Sequence, residues 1–315
     1  MYKLIRFWNR NKNNIIKVLA IIIFIFLIIQ LINGVVKSKN KEKLDNLEKN
    51  AKNNTITTNN NTVSKGLVSE KSAVTGKELS KTELQNATNL IYDFVDYCNK
   101  QDLESAYNLL TDECKQQLYP SLEIFNQAYY NDVFNGQQRN CTIENWIGNT
   151  YKVDIKEDIL ALGKDTGYSK QDYMTIKKVN DENKLNINNY IGYTEINKTT
   201  TKDNVSMKIV GKDTYKDEES YRIQVTNNTS DIMQLDTTTS TKTLFLEDSN
   251  QVKYYWYNHE LTDATLTVAV GQTKEITINF YSSYVSNKEI RYIVFSNIIL
   301  KNGQITEGLN FRANV

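Results

Sequence analysis

The chain has 315 residues, with 38 Lys and Arg, 37 Asp and Glu, one His, three Cys and one Pro. A single His excludes multi-His metal sites and argues against Ser/His/Asp chemistry. Five basic residues (Lys3, Arg6, Arg10, Lys12 and Lys17) and no acid lie in residues 1–17, leaving 33 basic against 37 acidic residues in the rest. That remainder, at −4, argues against nucleic acid as a partner, since phosphate backbones need clustered Lys and Arg.

Val18 to Ile29 is an unbroken apolar run of twelve residues, continued to Val36 with only Gln30 and Asn33 polar. At about 1.5 Å per residue, 19 residues just span a hydrocarbon core of about 30 Å. A buried core helix would carry a polar face, and Val18–Ile29 has none. A cleaved signal peptide needs a small-x-small site, and Gly34-Val35-Val36-Lys37 is a poor one. The reading is a single-pass transmembrane helix at 18–36 in contact with the lipid bilayer. The basic tail 1–17 stays cytoplasmic, and everything after Lys37 is extracellular.

Residues 37–79 contain no aromatic residue and are rich in Lys, Asn, Thr and Ser. Such a segment buries too little apolar surface to offset its chain entropy and reads as a flexible stalk. A coil of this length holds its ends roughly 35–40 Å apart. The wider Asn, Lys, Ile and Thr bias suggests a low-GC Gram-positive source.

From residue 80 the helical period appears. Ser80 and Glu83 fit a capping box, followed by the stripe Leu84, Ala87, Leu90, Ile91, Phe94, Val95 and Cys98. Asp102 and Thr111 read as caps of two short helices, and Pro120-Ser121 opens another, with Leu122, Ile124, Phe125, Ala128 and Tyr129 inward. After Asn135-Gly136 the period falls to two, through Cys141–Trp146, Tyr151–Ile155, Ile159–Leu162, Tyr173–Val179 and Leu185–Tyr190. Asn180–Asn183 forms a hairpin turn. The fold class expected is α+β: transmembrane helix, an α+β domain over 80–197, and an all-β sandwich over 201–315.

The string from Ile91 to Glu113, with its Asn99-Lys-Gln-Asp102 turn and Ala106-Tyr-Asn-Leu-Leu110 helix, resembles the opening of NTF2-like cone domains. Leu185–Tyr190 resembles that superfamily's closing strands. The resemblance implies a cone that hosts enzymes, ligand binders or assembly modules. This segment has no His, which argues against catalysis. Trp146, Tyr151, Tyr168 and Tyr173 are candidates to line a pocket, with core packing the favoured alternative.

Lys198–Lys202 reads as a polar connector. Seven alternating segments follow, among them Val205–Val210, Tyr221–Val225, Lys242–Leu246, Val252–Trp256 and Ile276–Phe280. With Val225-Thr-Asn-Asn228, Leu246-Glu-Asp-Ser-Asn250 and Val270-Gly-Gln272, they resemble immunoglobulin-like domains of the DUF4352 type. Asn250 and Val270 stand where that family has Gly and Pro. The resemblance implies a surface interaction module with no catalytic role.

Cys98, Cys114 and Cys141 in an oxidising exterior permit one disulfide with one thiol left over, but Cys98 lies on the apolar stripe and buried free thiols are the favoured reading. A cysteine nucleophile would need His259, which lies in the other segment. Asp213, Asp217, Glu218 and Glu219 lack calcium-loop spacing and read as a solvated turn. Tyr254-Tyr-Trp-Tyr257 is the most unusual local feature. Strand alternation turns Val252, Tyr254 and Trp256 inward and leaves Tyr255 and Tyr257 as the candidate interaction surface. No catalytic, metal or cofactor-binding residues and no cofactors are expected.

The reading favoured is a non-catalytic, membrane-anchored binding or assembly protein of the bacterial cell envelope. Its partners would be other envelope proteins or further copies of itself. Two alternatives stand beside it. One is an assembly component of a conjugation or secretion system, since the layout is similar to VirB8-like proteins. The other is a small-ligand binder or enzyme using the cone.

Overall fold

A computed structural model describes residues 80–158, 167–285, 287–302 and 305–315, with Val74 and Gly163. The basic tail, the apolar run, the stalk apart from Val74, and the expected strand 159–162 lie outside the described residues.

The helices come first because the 3.6-residue period ends at Val133. α1 (Lys81–Asn99) starts on the expected capping box, with the Ser80 hydroxyl accepting from the Glu83 N–H at 3.2 Å. α2 (Leu103–Asn108) and α3 (Asp112–Leu118) are capped by Asp102 and Thr111. α4 (Leu122–Phe125), capped by Ser121, runs through a π-helical turn at Asn126–Tyr130 into α5 (Asn131–Val133). Phe125, Tyr129 and Tyr130 are buried, while Leu122, Ile124 and Ala128 are exposed.

Strands occupy nearly everything beyond. β1 (Arg139–Ile147), β2 (Thr150–Glu157), β3 (Ser169–Val179) and β4 (Glu182–Asn186) form an antiparallel sheet in that order. Asn180 and Asp181 turn the β3–β4 hairpin with φ of 49° and 65°, the left-handed pair a two-residue hairpin needs. Between α1 and this sheet lies one core, filled by Phe94, Phe125, Tyr119 and Tyr129, whose ring centroids lie 5.6–6.3 Å from their neighbours'.

β5 (Tyr190–Lys202) pairs with β6 (Val205–Tyr215), which pairs with β7 (Glu218–Asn227), which pairs with β12 (Thr273–Tyr281). A second sheet contains β8 (Ile232–Gln234), β9 (Leu244–Asp248), β10 (Lys253–Tyr255), β11 (Thr267–Val268), β13 (Ile290–Asn302) and β14 (Ile305–Asn314). A short helix, α6 (Asp263–Leu266), precedes β11. The two sheets share a second core, with Val205, Met207, Ile209, Ile223 and Ile278 from one and Leu244, Leu246, Ile293, Phe295 and Phe311 from the other.

The expected α+β fold class is overturned over the described residues, and the transmembrane helix expected at 18–36 lies outside them. The described residues are mostly β-sheet, 49% strand against 22% helix. Among them no helix is long and apolar enough to cross a membrane. The physical reason is that helical periodicity is confined to 81–133, while alternation at period two governs the chain from Arg139 on. Residues 198–202 are not a loop either: they are the second half of β5, paired with Val205–Ile209.

Candidate functional site

The Tyr254–Tyr257 run does not stay in one sheet. Tyr254 and Tyr255 pair with Leu246 and Phe245 of β9, then Trp256 bridges to Phe280 of β12. The Tyr257 N–H donates to the Asn279 carbonyl at 2.9 Å. The strand crosses from one sheet to the other, and simple alternation fails. Val252, expected inward, is 48% exposed, and only Trp256 is buried. Tyr255 and Tyr257 are both half-buried. Tyr255 meets Phe245 edge-on at 5.9 Å. Tyr257 lies against Tyr281, whose ring is 53% exposed, with centroids 3.5 Å apart. Burial, and then the Glu218 carboxylate beside it, push the Tyr257 phenol well above its ordinary range.

Of the four aromatic residues named as pocket candidates, only Trp146 and Tyr173 are brought together. Trp146 and Tyr173 pack edge-to-face at 4.6 Å, and Trp146 also meets Tyr284 at 6.0 Å. Tyr151 belongs to the first core. Tyr168 lies under the Arg139 guanidinium at 3.8 Å. Alternation explains the split, because Trp146 and Tyr151 occupy opposite faces of their hairpin.

The thiols and the His stay apart as well. Cys98, Cys114 and Cys141 are free and buried in the first core. Burial pushes Cys114 and Cys141 up to about 12, and Cys98 beyond. His259 is exposed beside Tyr257, in the segment that borders the second core. Among the described residues no three His, Cys, Asp or Glu side chains converge as metal ligands.

The densest polar chemistry lies where β5 and β6 leave the first core. The acidic segment expected to be a solvated turn divides here, with Asp213 and Glu219 buried. One side holds a cleft of about 300 Å³ lined by Glu113, Gln116, Gln117, Tyr190, Tyr193, Asp213 and Arg222. The Tyr190 hydroxyl donates to Asp213 Oδ1 at 2.8 Å, and Arg222 Nη2 donates to Asp213 Oδ2 at 3.4 Å. Glu113 Oε1 accepts from Asn186 Nδ2 at 2.7 Å, and its Oε2 accepts from the Tyr193 N–H at 3.3 Å. These groups satisfy one another and tie α3 to β5.

The other side holds a cleft of about 230 Å³ with Lys177, Gly192, Thr194, Lys212, Thr214, Glu219 and Lys288 in its lining. Glu219 Oε1 lies 3.1 Å from Lys212 Nζ and 3.3 Å from Lys288 Nζ, and its Oε2 accepts from the Tyr221 hydroxyl at 2.9 Å. Lys288 also donates to Ser282 Oγ at 2.5 Å and the Ser283 carbonyl at 2.8 Å. Burial lowers the Lys288 amine, although Glu219 opposes the effect. Gly192 has φ of 146°, and a Cβ there would stand 2.6 Å from Lys177 Nζ and 2.9 Å from Glu113 Oε1. Sequence reasoning missed this group because its lysines come from β3, β6 and the loop before β13. The one local signal was an isolated Gly in a strand pattern, which marks a bulge or a close approach; β5 has its register shift there.

Comparison with known proteins finds no family model, no curated protein and no solved structure that matches this chain.

Proposed function

We propose that this chain is a membrane-anchored binding or assembly protein of the bacterial cell envelope and that it performs no catalysis. Residues 18–36 cross the bilayer, residues 1–17 stay in the cytoplasm, and the β-rich body stands outside. The observation that carries this reading is the twelve-residue apolar run Val18–Ile29 directly behind five basic residues, followed by a polar segment with no aromatic residue. The burial of all three thiols supports the non-catalytic part, because a thiol raised to about 12 supplies little thiolate. So does the first cleft, whose carboxylates are already bonded to neighbouring side chains and backbone. The resemblance of residues 201–315 to extracytoplasmic interaction modules points the same way.

Three measurements test it. A reporter fused after Val315 is expected to be active only outside the membrane, and the protein to resist alkaline extraction from membranes. Crosslinking in intact cells is expected to trap envelope proteins or a second copy of the chain. Reporter activity confined to the cytoplasm would overturn the reading.

A further inference from the structure

The cleft beside Gly192 combines three ammonium groups with one carboxylate. Lys212 and Lys288 share a single oxygen of Glu219. The Lys288 side chain is only 3% exposed and Glu219 only 2%. Three acceptors exhaust the Lys288 ammonium, because its three N–H groups face Glu219, Ser282 and Ser283. Lys177 and Lys212 are different. Lys177 Nζ stands 3.7 Å from Glu113 Oε1, beyond hydrogen-bond length, and Lys212 makes one hydrogen bond to Glu219. Most of their N–H groups are therefore unspent.

Placement makes these two ammoniums a pair. Gly192 is opposite Thr214, and Thr194 opposite Lys212, so all four share one face of the β5–β6 ladder. Lys177 reaches in from β3 over the space a side chain at 192 would fill. The lining thus carries three positive charges and one negative charge, with Thr194 and the buried Thr214 beside them. Two further carboxylates lie near the lining: Glu113, 3.7 Å from Lys177 and also accepting from Asn186 and Tyr193, and Asp248, which accepts from Asn250, Val252 and Tyr254. A net positive, partly enclosed cleft with donors from several directions suits a tetrahedral oxyanion. At about 30 Å³ per water, about 230 Å³ has room for a phosphate group and a small substituent.

We propose that this cleft is a phosphate-binding site, with the Lys177 and Lys212 ammoniums and the Thr194 and Thr214 hydroxyls holding the phosphate oxygens. Glu219 and Lys288 form its floor and hold Lys212 in place. The site does not depend on the membrane topology.

The test is calorimetric titration of the full-length chain in detergent with inorganic phosphate, at constant ionic strength set with potassium chloride. Saturable binding is expected, weakened about tenfold by Lys177→Gln and by Lys212→Gln. Lys178→Gln, on the adjacent residue of β3 and outside the cleft, should leave it unchanged. Among the described residues the Lys177 side chain makes no hydrogen bond, only the 3.7 Å ion pair with Glu113, so its variant keeps the test sound even if Lys212→Gln unfolds. Dimethyl phosphate as a second titrant separates two sources. Binding of both identifies the phosphodiester of a polymer or lipid headgroup; binding of inorganic phosphate alone identifies free or terminal phosphate. Absence of saturable binding by either, or equal binding by Lys177→Gln and the parent chain, would overturn the proposal as an effect of non-specific ions only.

Discussion

Asp172 shows how one buried side chain organises its surroundings. It sits on the inner face of the first sheet and accepts from the Tyr129 hydroxyl at 2.9 Å and from the N–H groups of Asn188 and Asn189 at 3.0 and 2.9 Å. Those two asparagines hold φ of 59° and 64°, and the three bonds pin a left-handed turn between β4 and β5. Tyr129 is enclosed with this carboxylate, and burial, then Asp172, push its phenol well above the ordinary value. Tyr221 is raised by burial and by Glu219 in the second core. A phenol raised in the folded state holds its proton where the unfolded chain would release it. Its contribution to stability is therefore complete below the unfolded value of about 10 and is lost as pH rises above it. Lys288 acts in the opposite sense, since a lowered amine gains stability as pH rises toward about 10.4. Absorbance at 295 nm and far-ultraviolet circular dichroism, followed together, should show some tyrosines ionising only as the fold is lost above about pH 10. Smooth ionisation of all 20 tyrosines without loss of structure would refute this.

At the scale of elements, the ribbon β5–β6 depends on two glycines. Gly192 leaves room for the Lys177–Glu113 pair, and Gly211 lies under the Tyr193 ring, where a Cβ would stand 2.7 Å from Cε2. β6 has a register shift between Ile209 and Gly211, so the bulge and the ring placement belong together. Tyr193 in turn lies 5.3 Å from the Arg222 guanidinium, which pairs with Asp213. Gly211→Ala is expected to displace this ring and cost about 2 kcal/mol in urea denaturation, in the range of overpacking. In the background of Tyr193→Ala the same substitution should cost much less, because the clash partner is gone. Full additivity of the two would show that the ring does not depend on the glycine.

Over the whole described body, the two cores are joined by shared structure rather than by a tether. β5 runs without interruption from Tyr190, in the first core, to the pairing of Lys202 with Val205, in the second. Gln117 of α3 donates to the Tyr215 hydroxyl at 3.0 Å, and Trp146 of β1 packs against Tyr284. Opening one core would strip partners from the other. The expected outcome is one cooperative unfolding transition. In a Trp8→Phe background, fluorescence of Trp146 reports the β1–β4 sheet, on its face away from the first core, and that of Trp256 the second core, using Trp256→Phe and Trp146→Phe respectively. Coincident midpoints are expected, whereas separated transitions would show independent units.

Local features were legible in the sequence because their causes are local. The caps at Ser80, Asp102 and Thr111, the Asn180-Asp181 turn and the buried Cys98 all follow from residues within a few positions of one another. After β9 the left-handed residue is Gln251, the neighbour of the Asn250 that stands where the resembled family has Gly. Leu122 and Val252 are exposed because each stands at the edge of a very short element, Leu122 opening a four-residue helix and Val252 preceding a three-residue strand, where too few residues follow for a period to hold. The basic tail and the apolar run, read from charge and hydropathy alone, stay at the level of sequence. Tertiary structure alone decided that Lys198–Lys202 is a strand, that Asp213 and Glu219 are buried, and that Lys177, Lys212 and Lys288 line one cleft. The reason is physical: hydrophobic period and turn chemistry act over a few residues, whereas burial of a charge depends on distant partners, as Glu219 depends on Lys288. No local pattern encodes that proximity.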